Sequence, residues 1–289
     1  MKYIILLIIP IVLNAQEWSY SADILEKKEE NGREVRIFKS TALGNKQVVI
    51  YKDTISIFTN QAKQYIDNQE LHLLGPVTMI NGTDSLECQN MIFWYEIDSL
   101  HAFGNVSFKF KNNYLETDSL IYVKTNGFRG YSFLANNNAK FYDPEYKITA
   151  NKINYNDYSQ YMTLNQQVKI SSDKQGASGQ NINLTFQDSL IKNMFIQDDA
   201  YIYNNHYAIV NDNNYQLFKD EVNGSVIEAD FENKNLKNIF VNGMAESKYY
   251  VVNDSTYLMG FNEASGDTML FKYNQINLNK IYIKGDARG

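Results

Sequence analysis

A seven-residue phrase recurs along this chain and constrains its fold more than any other feature. It runs apolar, any residue, apolar, three mostly polar or glycine residues, then Val or Ala. It reads Leu71-His72-Leu73 to Val77, Leu100-His101-Ala102 to Val106, Phe133-Leu134-Ala135 to Ala139 and Met162-Thr163-Leu164 to Val168. It continues as Met194-Phe195-Ile196 to Ala200, Ile239-Phe240-Val241 to Ala245 and Ile281-Tyr282-Ile283 to Ala287, after a weaker first copy from Arg36-Ile37-Phe38 to Ala42. Copies lie about 30 residues apart as far as Ala200 and a little over 40 beyond it, a period that points to stacked supersecondary units.

A second phrase alternates with the first. Asp53-Thr54-Ile55, Asp84-Ser85-Leu86, Asp118-Ser119-Leu120, Asn151-Lys152-Ile153 and Asp267-Thr268-Met269 share one slot, and Gln180-Asn181-Ile182 fills it more loosely. Each leads into alternation, such as Ile55/Ile57, Leu86/Cys88, Leu120/Tyr122 and Ile182/Leu184/Phe186. Period two over four to six residues is the mark of a strand with one buried face. An acid followed by a hydroxyl invites a catalytic reading, but a slot that accepts Asp, Asn and Gln alike behaves as a corner that accepts a backbone N–H. The turn formers Asn81-Gly82, Asn112-Asn113, Asp143-Pro144-Glu145 and Asn204-Asn205 are placed between the two phrases.

Each repeat therefore reads as strand, turn, strand and return. The predicted fold class is all-β: antiparallel strand pairs stacked into an elongated, partly open β-jelly roll, solenoid-like in its repetition. Composition agrees, with 22 Tyr and 16 Phe against 3 Pro. At 44% apolar residues the chain has enough to bury a core. The net charge is −6 and no long basic run exists, so nucleic acid is a poor partner. Cys88 is the only cysteine, so no intrachain disulfide holds the fold.

The first residues read as a secretory leader. Lys2 precedes an apolar run from Tyr3 to Leu13, and Asn14-Ala15-Gln16 follows, with cleavage expected after Ala15. That divides the chain into a signal peptide over 1–15 and one elongated domain over 16–289, with 205–225 as the place where it can bend. The run is shorter than the ~20 residues of a spanning helix.

A sheet folded into an open V presents two apolar inner faces and an apolar trough between them. The inward positions expected to line it are Ile55, Ile57, Leu73, Val77, Met79, Leu86, Val106, Phe108, Leu120, Tyr122, Phe141, Ile153, Leu164, Val168, Ile170, Ile182, Leu184 and Ile196. Sheet-on-sheet core is the alternative at each of them. Burying one methylene contributes ~0.8 kcal/mol, so a dozen methylenes of an acyl chain gain roughly 10 kcal/mol before the cost of association. The trough suits carriage of a lipid without chemistry.

No catalytic residues, metal ligands or cofactor are expected. His72, His101 and His206 are the only histidines. His72 and His101 fall in equivalent outward slots and are expected to stack as surface neighbours, with no carboxylate or thiol at ligand spacing. No Gly-Xaa-Ser-Xaa-Gly elbow, phosphate loop or His-Glu-x-x-His occurs. A glycan-cleaving β-helix enzyme using Asp84 and Asp118 stays open as one alternative. A structural or adhesive repeat protein joined through its edge strands stays open as another.

The phrases "TDSL", "HAFGNVSF", "IFVNGMAESKYY" and "IYIKGDARG" resemble the OstA-like, or LptA-like, family of the lipopolysaccharide-transport system across residues 35–289. The resemblance rests on repeated short phrases. It implies a periplasmic β-jelly roll, exported and associated with the outer membrane. It also implies that lipopolysaccharide is bound through its lipid A acyl chains and helped toward that membrane. Implied partners are other β-jelly-roll transport components through the end strands, and further copies joined head to tail.

Overall fold

The computed structural model describes residues 18–41, 47–125, 130–188, 190–211, 214–253, 255–274 and 277–289. The leader over 1–15 and Ala42 lie outside them. Among the described residues there are nineteen strands in one unclosed sheet, with antiparallel pairing throughout its ladders. In chain order they begin with β1 (Ser19–Ser21), β2 (Ile24–Glu30), β3 (Arg33–Lys39), β4 (Val48–Lys52), β5 (Ile55–Thr59), β6 (Gln61–Tyr65) and β7 (Glu70–Asn81). Next come β8 (Asp84–Trp94), β9 (Ser99–Phe110), β10 (Asn113–Thr125), β11 (Gly130–Tyr142), β12 (Lys147–Asn156), β13 (Tyr161–Ser171) and β14 (Gln175–Gln187). The last are β15 (Leu190–Asn211), β16 (Asn214–Glu232), β17 (Asn235–Val252), β18 (Leu258–Asn274) and β19 (Asn277–Lys284).

From β7 to β19 each strand pairs with the next. Below β7 the sheet forks. The first half of β7 pairs with β6, which continues to β3 and β2, and its second half pairs with β5, which continues to β4 and β1. The fork exists because every long strand crosses two walls. Leu100 and Phe110 are ten residues apart on β9, roughly 33 Å in a flat strand. Yet the Phe110 ring lies 6.1 Å from that of Phe133, whose row in the sheet is that of Leu100. The sheet is folded over, and the repeated phrase is the fold line.

At each fold line the odd-numbered strand carries one residue more than its partner, a β-bulge. Ala139 opposes Ala150 and Asn136 opposes Lys152, so Asn137 and Asn138 are matched by Asn151 alone. The last two of the three spacer residues take left-handed conformations: Gly104 and Asn105, Asn137 and Asn138, Gln166 and Gln167, Asp198 and Asp199, Gly243 and Met244. Asn, Asp and Gly tolerate that region best, which explains the polar and glycine-rich spacer. Across from each Val or Ala sits a small residue: Val77 faces Cys88, Val106 faces Thr117, Ala139 faces Ala150, Val168 faces Gly179 and Ala200 faces Gly224. The walls converge here. A Cβ added at Gly179 would lie 2.5 Å from Cγ2 of Ile196.

Four of the six second-phrase copies lie on this fold line, at Asp118, Asn151, Gln180 and Asp267. The copies at Asp53 and Asp84 do not. Asp53 is a left-handed residue of the β4–β5 hairpin turn, and Asp84 opens β8 just after the Gly82 turn. The fold-line residues of those two repeats are Asn60 and Gln89, against which the corner glycines Gly75 and Gly104 pack. The expected backbone N–H partner is also replaced along the fold line by side chains of the next corner. Asn138 donates to Asp118 (3.3 Å), Asn151 to Gln166 (2.6 Å) and Gln180 to Asp199 (3.2 Å). Asn204-Asn205 is not a turn: β15 runs through it, and its pairing with β16 continues from Asn193↔Asp230 to Asn211↔Asn214.

Candidate functional site: the interior of the folded sheet

The two walls bring the inward residues into continuous rows. In the first wall, Leu73, Met91, Ala102, Leu120, Ala135, Ile153, Leu164, Ile182, Ile196, Ile227, Val241, Met269 and Ile283 follow one another as directly opposed neighbours, strand after strand. In the second wall the row runs Ile57, Met79, Leu86, Phe108, Leu115, Phe141, Ile148, Ile170, Ala177, Ile202, Val222, Ser247 and Ala264. Such rows form because period-two alternation and antiparallel register together place like residues side by side.

Twelve of the eighteen positions expected to line a trough fall on these rows. Leu73, Leu120, Ile153, Leu164, Ile182 and Ile196 lie in the first-wall row, and Ile57, Met79, Leu86, Phe108, Phe141 and Ile170 in the second. Val77, Val106 and Val168 flank the fold line. Leu184 and Tyr122 lie farther out on the first wall, and Ile55 at the outer end of the second. All of them belong to one apolar cluster or pack against it. Ile55, Met79, Phe108, Tyr122 and Ile170 are only partly buried, and the rest, Leu184 among them, are sealed.

Aromatic rings close the middle of the mouth. Phe110 of the second wall meets Tyr131 and Phe133 of the first, each at 6.1 Å. On the first wall, Tyr131 stacks on Tyr122 (5.8 Å) and touches Tyr155 (5.8 Å), which reaches Phe186 (6.1 Å). Burial pushes the hydroxyls of Tyr122, Tyr131 and Tyr155 above the ordinary phenol range, helped by nearby Asp84 and Asp157. Burial also raises that of Tyr146, to about 12. At the amino-terminal end, Trp18 packs edge-on against Phe93 (5.6 Å), and Tyr20 stacks on Phe38 (4.5 Å) while its hydroxyl accepts from Gln64 (2.9 Å). The ring seam was outside the reach of the sequence patterns. Its members are far apart in the chain, and only the folding of the sheet brings them together.

Cys88 takes part in the fold line. Its thiol donates to the carbonyl of Asn90 (3.2 Å), as the hydroxyl of Thr117 donates to that of Ser119 (3.3 Å) and the hydroxyl of Thr59 to that of Gln61 (3.3 Å). Burial pushes the thiol up to about 12. His72 and His101 do not stack on each other, because Ile92 of β8 lies between them in the register. His72 contacts Glu70 (3.1 Å) and the Tyr65 ring, and His101 contacts Ser119 (3.0 Å). Asp84 accepts the backbone N–H of Lys111 (3.1 Å) at the next hairpin turn, and Asp118 holds Asn138 at a corner, so the two carboxylates occupy different settings.

No family model and no curated protein matches the chain. Among solved structures, the chain is similar to LptH of Pseudomonas aeruginosa, described as the LptA-homologous periplasmic component of the conserved lipopolysaccharide transport device. The likeness has 10% sequence identity, covers 63% of this chain and 83% of that chain, and has a TM-score of 0.16.

Proposed function

We propose that this protein is a lipid carrier that makes and breaks no bonds: it binds acyl chains between the walls of its folded sheet. The observation that carries the reading is how the two walls are joined. At the fold line they are tied by continuous strands and ladder hydrogen bonds, whereas the described middle of the mouth is spanned by ring contacts. Side-chain contacts can part while the ladders stay intact. An acyl chain that displaces the rings meets two inward rows, apolar at every rung but that of Ser247, so it can move along most of the long axis without meeting a deep trap. The leader read at residues 1–15 and the family resemblance of the repeats support a periplasmic setting for this work. On that reading the lipid is lipopolysaccharide on its way to the outer membrane, bound by its lipid A chains. The −6 net charge offers its phosphates no general clamp, so the head group stays in solvent.

A second reading has its own observation. Among the described residues, β18 from Leu258 to Ala264 has β17 on one side, and β19 pairs only with the other half of β18. Such edges suit strand addition by another jelly-roll component or a second copy of this chain.

Photo-crosslinkers placed at Phe108 and Leu184 separate the readings in cells. Capture of lipopolysaccharide supports carriage. Capture of protein alone removes it and leaves the structural or adhesive role.

A further inference from the structure

The four longest strands, β15 to β18, carry the second wall beyond the rest of the sheet. Pairing of β14 with β15 stops at Gln175↔Asn204, so the stretch after it overhangs. The β16–β17 ladder stops at Glu221↔Lys248. The tips then close on each other. The Ile209 N–H donates to the Thr256 carbonyl (2.9 Å), and Ile209 and Tyr257 form an isolated parallel bridge.

Where the β16–β17 ladder ends, a side chain continues it. Oδ1 of Asp220 accepts the N–H of Tyr250 (2.9 Å), and Oδ2 faces Nδ1 of His206 at 3.3 Å. This fastening is incomplete. Among the described residues, Nε2 of His206 is buried without a hydrogen-bond partner, and so is Oγ of Ser247 in the row beneath. Burial also holds the Asp220 carboxyl above its ordinary range, more than Tyr250, His206 and Asn204 can offset. Opening would return these groups to water, which removes part of its cost.

The interior beneath differs from the middle of the chain. The second-wall row, which carries Phe108 and Phe141 near its centre, ends in Val222, Ser247 and Ala264. Burial raises the Tyr273 hydroxyl above the ordinary phenol range, and nearby Tyr249 and Asp220 push the same way.

We propose that the tips of β15–β18 form a hinged flap, latched by Asp220 to Tyr250 and His206, and that this flap is the port through which an acyl chain reaches the interior. The port rests on the carrier reading; the flap does not. Local opening that breaks few hydrogen bonds is fast relative to global unfolding.

Hydrogen exchange on the whole protein tests the flap. The Ile209 and Tyr250 amides are expected to exchange at least tenfold faster than that of Ile182. Asp220→Ala is expected to speed Tyr250 by a further tenfold and leave Ile182 unchanged. Equal protection of all three amides in the unaltered protein overturns the flap, as does equal acceleration of all three by the substitution. An Ile209→Cys/Tyr257→Cys pair, oxidised to lock the tips, tests the port, with a photo-crosslinker at Leu184 and purified lipopolysaccharide as probe. Capture is expected to fall at least fivefold on oxidation and to return on reduction. Equal capture in both states overturns the port. Capture in neither overturns the carrier reading and the port with it, while exchange still decides the flap.

Discussion

Phe108 and Tyr122 meet edge to face, with ring centroids 5.9 Å apart, although they belong to opposite walls of the sheet. Phe108 also stacks on Phe110 at 4.7 Å. The pair stands at the mouth, where ring contacts take over from backbone pairing.

Phe108→Ala removes a half-buried ring from that seam. The expected cost is about 2–3 kcal/mol, below that of a sealed core phenylalanine because part of the site is already open to water. Urea unfolding measures it. Binding of an apolar fluorescent dye to the native protein should rise at the same time. Loss of stability without added dye binding would mean that the walls collapse onto the vacancy and that the seam is ordinary core.

The fold line makes a separate prediction. Gly104 has φ +81, and an added Cβ would lie 2.8 Å from Cβ of Gln89. Gly104→Ala is expected to cost about 2 kcal/mol, from strain and overlap together. Asn138 is also left-handed, at φ 52, and Asn138→Gly removes the steric cost of that conformation while losing the bond to Asp118. Its expected change is within about 1 kcal/mol of zero. Chemical denaturation of the two variants side by side checks the contrast.

The chain announces its fold line more openly than its site. Ala135 and Ala139, or Ile196 and Ala200, stand four apart because two residues between them turn left-handed at the bulge, so the spacing survives in the sequence. Asp53 and Asp84 imitate the fold-line residue because acids also favour hairpin turns and strand starts. The true positions, Asn60 and Gln89, follow the small residues Thr59 and Cys88, whose meaning depends on the wall they face. Asn204 and Asn205 look like a turn, but a strand that overhangs the sheet can carry polar residues at no cost. Alternation points to residues that the register sets side by side, such as Leu164 and Ile182. It could not give the ring seam or the Asp220 latch, because Phe110 and Phe133, or Asp220 and Tyr250, meet only once the walls fold together.

Stability should fall in alkali. The folded chain holds the Cys88 thiol near 12 and the Tyr146 hydroxyl near 12, against about 9 and 10 for free thiol and phenol. Both groups are neutral when protonated, and the folded state keeps the proton that the unfolded state releases. Their contribution is therefore intact below pH ~9 and lost as pH rises from there toward 12, with a slope of up to ~1.4 kcal/mol per pH unit for each group. Tyr131 and Tyr155, raised in the same direction, extend the loss upward. Urea midpoints at pH 8, 9.5 and 11 check the sign, and the Cys88 thiol should resist alkylation at pH 8 until the chain unfolds. A midpoint that stays constant to pH 11 would contradict the burial of these groups.

The central claim is that a fatty chain lies between the walls, and β14 offers the most direct measurement of it. Ile182 and Leu184 point inward, while Asn181 and Asn183 alternate with them on the opposite face. Photo-crosslinkers placed singly at these four positions, with purified lipopolysaccharide as the probe, should give capture at 182 and 184 and none above background at 181 and 183. Equal capture at all four, or capture only at the outward pair, would contradict it.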